Sequence, residues 1–371
     1  MKKIIALVLL GTILLGLAAC GTVNKSEVSI IWSDLEYDKE NNIIMVPNSL
    51  INAVERAMYI ENISYAHYDG DNDSAKQTQL AQEALDKGCA AIMVQLADTA
   101  SAQSIIDLAK AKNVPVVFFG CDVEETVAAG YDKCAVVKTD AASVSKVQGE
   151  MIGAAITEKK AMEKLDTNGD GKLTYMAIGD VAAAVETANA ALKEANIAAL
   201  EAVEASSVEE LTVTSVEKEK TEYGILTAAN GSAVELIIAD NDQAVLEAVV
   251  ALQAKGFNKE KLTTHCVGIF AVGSDADYKN YVLSNKPEGE DAAKAYYEEQ
   301  RYLVDLTSVK AEEIDVMVYN TMNVIDAGQI LNTAMEDYDT LAEQAAAIMA
   351  QLLKGKGVET AYIAVPYKAY A

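Results

Sequence analysis

Asp166, Asn168 and Asp170 alternate along Asp166-Thr167-Asn168-Gly169-Asp170-Gly171, a spacing suited to gripping a hard cation. Calcium takes about six to eight oxygen ligands, and a loop of this kind presents them from positions 1, 3, 5, 7 and 9, with glycine at 6 for the bend. Counting from Asp166, Gly171 falls at position 6. Lys172 stands at 7, where the backbone carbonyl serves, and Thr174 at 9. A complete EF-hand loop ends on a bidentate glutamate at position 12, but here that residue is Ala177, so the loop is incomplete by itself. A plain Asx-rich turn is the alternative, because Asn, Asp and Gly favour turns without any metal.

The other reactive side chains are few. Only His67 and His265 are present, neither has a partner at useful spacing, and no Gly-x-Ser-x-Gly elbow or phosphate loop occurs, so no catalytic set is expected. Both histidines read as strand-edge residues. Cys89, Cys121, Cys134 and Cys266 show no CxxC spacing and sit in or beside apolar runs. They read as buried thiols, with a Cys121–Cys134 bridge left open. Trp32, the single tryptophan, ends an apolar run. It is either a flat aromatic face turned to a crevice or a core residue. Asp34, Tyr37 and Asn48 follow it as weaker polar candidates.

Lys2 and Lys3 precede an apolar run, Ile4 to Gly16, and then Leu17-Ala18-Ala19-Cys20. The run is shorter than the roughly 20 residues a bilayer span needs, and it reads as an export signal over 1–19. The small residues before Cys20 resemble the processing site of bacterial lipoproteins, which implies a lipid-modified Cys20 and a tether over 20–27. Cleavage after Ala19 with a free Cys20 thiol is the other reading. The net charge of −26 argues against nucleic acid and against an anionic lipid surface. With half its residues hydrophobic, the chain is globular, and its length suits two domains.

Strand-like and helix-like stretches alternate. Strands are expected at Val28–Trp32, Ile63–Tyr68, Ala90–Leu96, Val114–Phe119, Leu173–Ile178, Val234–Ala239, Cys266–Val272, Val316–Tyr319 and Ala361–Val365. Helices are expected at Ser49–Tyr59, Ala75–Lys87, Ala100–Lys112, Ser143–Met162, Ala183–Leu200, Gln243–Lys255 and Glu336–Leu353. Buried strands separated by amphipathic helices imply an α/β fold with parallel sheets, whose ligands bind beyond the carboxyl ends of the strands.

Several passages together resemble the periplasmic galactose/glucose-binding proteins. They are Asp73-Ser74-Ala75-Lys76-Gln77, Val114-Pro115-Val116-Val117-Phe118-Phe119, Tyr131-Asp132-Lys133, Thr139-Asp140, Gln148-Gly149, the Asp166 loop and Ile237-Ile238-Ala239-Asp240-Asn241-Asp242. The resemblance implies two Rossmann-like lobes of the type I periplasmic binding protein class, joined by a three-crossing hinge, with a solute bound between them. The lobes would span 28–140 plus 333–358 and 141–332 plus 359–371. A charged, tyrosine-rich segment at about 286–313 would be inserted in the second. Lactose-type repressors share this fold, but an export signal stands where their DNA-binding headpiece would be.

The same resemblance implies that Glu235 completes a structural calcium site with Asp166, Asn168, Asp170, Lys172 and Thr174, although the family usually carries a longer amide at the place of Thr174. It places Asn241 and Asn332 on two sugar-binding asparagines and puts Gln95 in place of a third. The family's cleft aspartate falls on Gly273, with Asp275 close by. Its His-Asp-Arg cluster falls on Ala182-Ala183-Ala184-Val185, and its stacking tryptophan near Val213. The implied function is a lipid-anchored, extracytoplasmic solute-binding protein of an ABC-type sugar uptake system, with a small polar solute and a permease as partners. The alternative is a calcium-stabilised surface lipoprotein with a degenerate sugar site, acting as a sensor or interaction protein.

Overall fold

The computed structural model describes residues 27–35, 37–38, 43–44, 49–158, 165–218, 221–258, 267–272, 332–358 and 360–370. The signal segment, Cys20, Asn48, His265, Cys266, Gly273, Asp275, the 286–313 segment and the strand expected at Val316–Tyr319 lie outside the described residues. Two compact units form, Met1–Thr139 with Tyr338–Val365 and Asp140–Asp337 with Pro366–Ala371, so the chain passes between them three times.

In the first unit, β1 (Val28–Trp32) is followed by a small antiparallel pair, β2 (Tyr37–Asp38) and β3 (Ile43–Ile44). Then come α1 (Ser49–Ile60), β4 (Tyr65–Asp69), α2 (Ser74–Lys87), β5 (Ala91–Val94), α3 (Ala102–Ala111), β6 (Val116–Phe119), α4 (Glu125–Ala128) and β7 (Cys134–Asp140). The six-stranded sheet runs β15-β7-β6-β5-β1-β4, where β15 is Tyr362–Pro366, and β4, β1, β5, β6 and β7 pair in parallel. Successive side chains of a strand face opposite sides, and β1 shows the consequence. Ile30 and Trp32 join the core beneath α1, while Ile31 joins the core beneath α2 and α3.

Asp73 starts α2 by accepting the backbone N–H groups of Ala75 and Lys76, and Gly88 ends it in the left-handed region at φ 84°.

The second unit holds α5 (Val144–Thr157), β8 (Thr174–Ile178), α6 (Ala182–Glu194), β9 (Glu201–Ala202), β10 (Thr212–Lys218), β11 (Thr221–Thr227), β12 (Leu236–Ala239), α7 (Asp242–Ala254), β13 (Gly268–Val272) and β14 (Asn332–Met335). Helix α8 (Tyr338–Leu353) belongs to the first unit, and β16 (Lys368–Tyr370) returns to the second. The second sheet runs β16-β14-β13-β12-β8-β9; it is parallel from β9 to β14, with β16 antiparallel at the edge. Helices α5 and α6 meet closely because Gly149 has no side chain. A Cβ there would lie 2.4 Å from the Ala184 carbonyl oxygen and from Thr187.

Some expectations change. The helix expected to reach Leu200 stops at Glu194, where Asn196 turns left-handed at φ 58° and lets the chain enter β9. Strand β7, masked by the polar residues at its end, and the antiparallel β10–β11 hairpin were not expected. All three lobe boundaries also move, the first by one residue, since Asp140 falls in the second unit. Residues 333–337 stay with the second unit because β14 pairs with β13, and 360–365 join the first because β15 lies beside β7. Among the described residues, no helix is long and apolar enough to cross a membrane.

Candidate functional site

The carboxyl ends of the first sheet carry a connected set of polar groups. Gln77, fully buried on α2, donates from Nε2 to the carbonyls of Trp32 (2.9 Å) and Gln95 (2.7 Å) and accepts the Ala97 N–H at 2.9 Å. One amide thereby ties the ends of β1 and β5 together. Beyond it, Ser33 donates its hydroxyl to Gln95 Oε1 at 3.1 Å. Gln95 is half-buried and follows β5, so its amide stands at the strand end as expected. Farther along the sheet, the Lys138 ammonium pairs with the Asp122 carboxylate and lies 5.5 Å from the centre of the Tyr362 ring. The hydrogen bond to Asp122 first, and then that to Tyr362, push Lys138 up to about 12.

Trp32 is not part of that surface. It is wholly buried, packed edge-on against Phe119 at 5.1 Å, and its indole N–H donates to His67 Nδ1 at 2.8 Å. The solute-stacking reading of Trp32 is therefore replaced by the core reading, because the alternation of β1 turns its last side chain beneath α1. His67 is likewise not partnerless, since its Nε2 lies 3.0 Å from Glu55 Oε1. Its partners come from 35 residues upstream and from α1, distances no local spacing reveals. Asp34 is exposed at the end of β1. Cys89, Cys121 and Cys134 are free thiols, which closes the question of a Cys121–Cys134 bridge.

In the second unit the corresponding strand ends bring Asp180, Asp240 and Asn241 together. Asp240 Oδ2 accepts the Asp180 N–H at 2.8 Å, and Asn241 Nδ2 donates to Asp240 Oδ1 at 2.7 Å. Asn241 also caps α7, its Oδ1 accepting the Ala244 N–H at 2.9 Å. Buried Gln148 on α5 donates to the Ala239 carbonyl at 2.8 Å, holding the end of β12 much as Gln77 holds β1. Asn332 opens β14, opposite Phe270 of β13. Ser33, Asp122, Lys138, Asp180 and Asp240 were not singled out from the sequence. The available signal was position: each lies within three residues of the carboxyl end of a parallel strand.

The Asp166 loop lies at the opposite, amino ends of β8 and β12. Asp166 Oδ1 accepts the N–H groups of Gly169 (2.7 Å) and Asp170 (3.1 Å), and its Oδ2 that of Gly171 (2.9 Å). Asn168 Oδ1 accepts the Asp170 N–H, and Asp170 Oδ1 accepts that of Lys172. Glu235, only 1% exposed, reaches this loop from 68 residues away. Its Oε1 accepts the Thr167 N–H at 2.9 Å and its Oε2 the Thr174 N–H at 3.1 Å. Burial pushes the Glu235 carboxyl above its ordinary value, the three backbone N–H groups of Thr174, Asn168 and Thr167 pull it back, and the Asp166 charge adds to the rise.

Lys172 turns its side chain to Glu201 at 2.7 Å, leaving its backbone carbonyl as the donor considered for a cation. An open pocket beside the loop is lined by Asn168, Asp170, Lys172, Thr174, Glu201 and Ser232. Among the described residues, no three His, Cys, Asp or Glu side chains converge as a ready-made metal cage. The carboxylates face backbone amides instead. The donor chemistry nevertheless suits a hard cation, being oxygen throughout, and Glu235 forms no ion pair among the described residues.

Residues 38–357 match the family described as a periplasmic binding protein domain. Among curated proteins, the chain is similar to the D-galactose/methyl-galactoside binding periplasmic protein MglB of Haemophilus influenzae. The two are 28% identical over 206 residues, which cover 54% of this chain and 61% of that protein. Among solved structures, it is similar to an ABC transporter solute-binding protein from Bacillus halodurans with bound myo-inositol (TM-score 0.47, 14% identity, 95% of this chain and 96% of the other). A second is a periplasmic solute-binding protein from Actinobacillus succinogenes 130z with bound D-allose (TM-score 0.46, 14% identity, 93% and 96%).

Proposed function

Because the chain belongs to the periplasmic binding protein domain family, we propose that it is the extracytoplasmic solute-binding component of an ABC-type uptake system, capturing a small polar solute without transforming it. The observation that carries this reading is the placement of paired hydrogen-bonding groups at the carboxyl ends of both sheets. Ser33, Gln95 and the Asp122–Lys138 pair stand in one unit, and Asp180, Asp240 and Asn241 in the other. Amides and carboxylates that donate and accept in pairs suit the vicinal hydroxyls of a sugar or polyol. The relative from Haemophilus influenzae, by its name a galactoside binder, supports the same ligand class.

Cys20 anchors the chain through a lipid in this reading, and a membrane permease is the partner. A structural Ca2+ would be held by Asp166, Asn168, Asp170, the Lys172 carbonyl, Thr174 and Glu235, where its charge offsets the mutual repulsion of the carboxylates. That site stands at the strand ends away from the solute contacts, so the ion braces the fold rather than touching the solute. Asp275 and Asn332 remain proposed solute contacts.

A second reading, a sensor or interaction protein with a degenerate sugar site, is favoured by the capping role of Asn241 and the burial of Trp32. A thermal-shift and calorimetric screen separates the two. The panel holds monosaccharides, oligosaccharides, polyols and nucleosides, with calcium present. A saturable upward shift with any member supports transport capture. Silence across the panel, from protein that unfolds cooperatively, hands the case to the second reading.

A further inference from the structure

Trp32, His67 and Glu55 form a relay from the core to a partly exposed carboxylate, one that solute capture does not use directly. We infer that His67 is a positioning residue that makes the solute-facing end of β1 sensitive to pH, by accepting the Trp32 indole N–H only while its Nδ1 is unprotonated. The inference rests on the reading of Ser33 and Gln95 as solute contacts.

The geometry determines the tautomer. An indole N–H can only donate, so at 2.8 Å the Nδ1 atom facing it carries the lone pair. The ring proton of neutral His67 then sits on Nε2 and is donated to Glu55 Oε1 at 3.0 Å. Adding a proton at Nδ1 sets two N–H groups against each other and cancels the bond to Trp32, while strengthening the contact with Glu55. Trp32 is wholly buried, so no water replaces the lost acceptor.

The consequence reaches the strand end because Trp32 is the last residue of β1. Its carbonyl accepts from Gln77 Nε2 and from the Gly70 N–H, and the next residue is Ser33, which holds Gln95. Displacing the indole therefore disturbs the anchor of two proposed contacts. Among the described residues, the titratable groups facing the imidazole are Glu55 from α1 and Tyr65 on β4, whose ring packs edge-on at 5.1 Å. Tyr65, pushed up to about 12 by burial and then by the Glu55 charge, stays neutral on acidification. Strand β1 presents Trp32 and β6 presents Phe119.

Trp32 is the only tryptophan, so its emission in the solute-free full chain, excited where tyrosine is silent, reads the relay directly. On acidification, the expected result is a single one-proton transition in emission. His67→Gln keeps an acceptor for the indole and abolishes the transition, and Glu55→Gln moves it to lower pH. A flat wild-type profile, or an unchanged transition in His67→Gln, overturns the inference. If that variant does not fold, imidazole nitrogen NMR of the wild type decides, since a neutral ring protonated on Nδ1 is equally fatal. Because no solute is present, failure here leaves the capture reading standing. A silent solute panel likewise leaves the relay standing.

Discussion

The Asp240 carboxylate occupies the space that a side chain at Gly179 would fill: a Cβ at that position would lie 2.1 Å from Asp240 Oδ1. Gly179 also sits at φ +79°, in the left-handed region. Glycine at the end of β8 is therefore a condition for Asp240 to hold the Asp180 N–H, and with it the polar group proposed to meet the solute.

Gly179→Ala follows as a direct test. Left-handed backbone costs a non-glycine residue about 1–2 kcal/mol, and the overlap with the carboxylate adds to that. Denaturant unfolding is expected to show a loss of at least about 2 kcal/mol. Any solute found by the screen should bind the variant more weakly, by calorimetry, at a temperature where it remains folded. A variant of wild-type stability would show that Asp240 is not fixed there.

The amide of Gln77 closes three hydrogen bonds to the backbone, one buried and two part-buried, and Gln77→Leu keeps much of its volume while deleting all three. Each orphaned buried group costs about 1–3 kcal/mol. The expected loss in urea unfolding is about 3 kcal/mol or more. A change below about 1 kcal/mol would mean that water enters and replaces the amide.

Chelation tests the proposed ion. With calcium at about 100 times its dissociation constant, a one-site ligand stabilises the fold by about 2.7 kcal/mol. For a single unit of about 150–250 residues, each kcal/mol moves Tm by roughly 2–4 °C. EDTA is expected to lower Tm by several degrees, calcium to restore it, and Asp166→Ala to abolish the difference. The same melting temperature in EDTA and in excess calcium removes calcium from the account.

The thiols give a pH dependence of known sign. Burial pushes Cys89 up to about 11 and Cys134 up to about 12, from 9.0. An acid whose value is raised by folding favours the protonated state when folded. That stabilisation is intact below about pH 9 and is lost as pH rises through 11 to 12. Unfolding free energy is expected to fall across this window, with a shallower slope in Cys134→Ala. At pH 8, peptide mapping after alkylation should find neither residue modified in the native protein and both modified after unfolding.

Lipidation is tested at one atom. Wild-type cells fed an alkyne-bearing fatty acid should label the protein, and Cys20→Ser should not be labelled. Equal labelling of both would place the lipid elsewhere or remove it.

Much of the architecture was legible from local order, for the reason that a buried parallel strand is a short apolar run and its flanking helix an amphipathic one. Val28–Trp32, Val114–Phe119 and Cys266–Val272 announced themselves that way, and the Asp166 loop did so by the spacing of its oxygens. Strand β7 did not, because its last residues Lys138, Thr139 and Asp140 are polar, and so Lys138 went unnoticed as a strand-end group. The β10–β11 hairpin was hidden by its Thr, Lys and Glu residues, which suit an exposed ribbon as well as a loop.

By itself, the order of residues determined the alternation of strands and helices and carried the expectations of an export-type start and a calcium-type loop, because each depends on neighbours within a few positions. Tertiary structure alone decided that Trp32 belongs to the core, that His67 joins it to Glu55, and that Asp240 meets Asp180. These are contacts between side chains and backbone brought together by strand pairing across tens of residues. Sequence spacing carries no signal for such contacts; register and the alternating faces of the sheet create them.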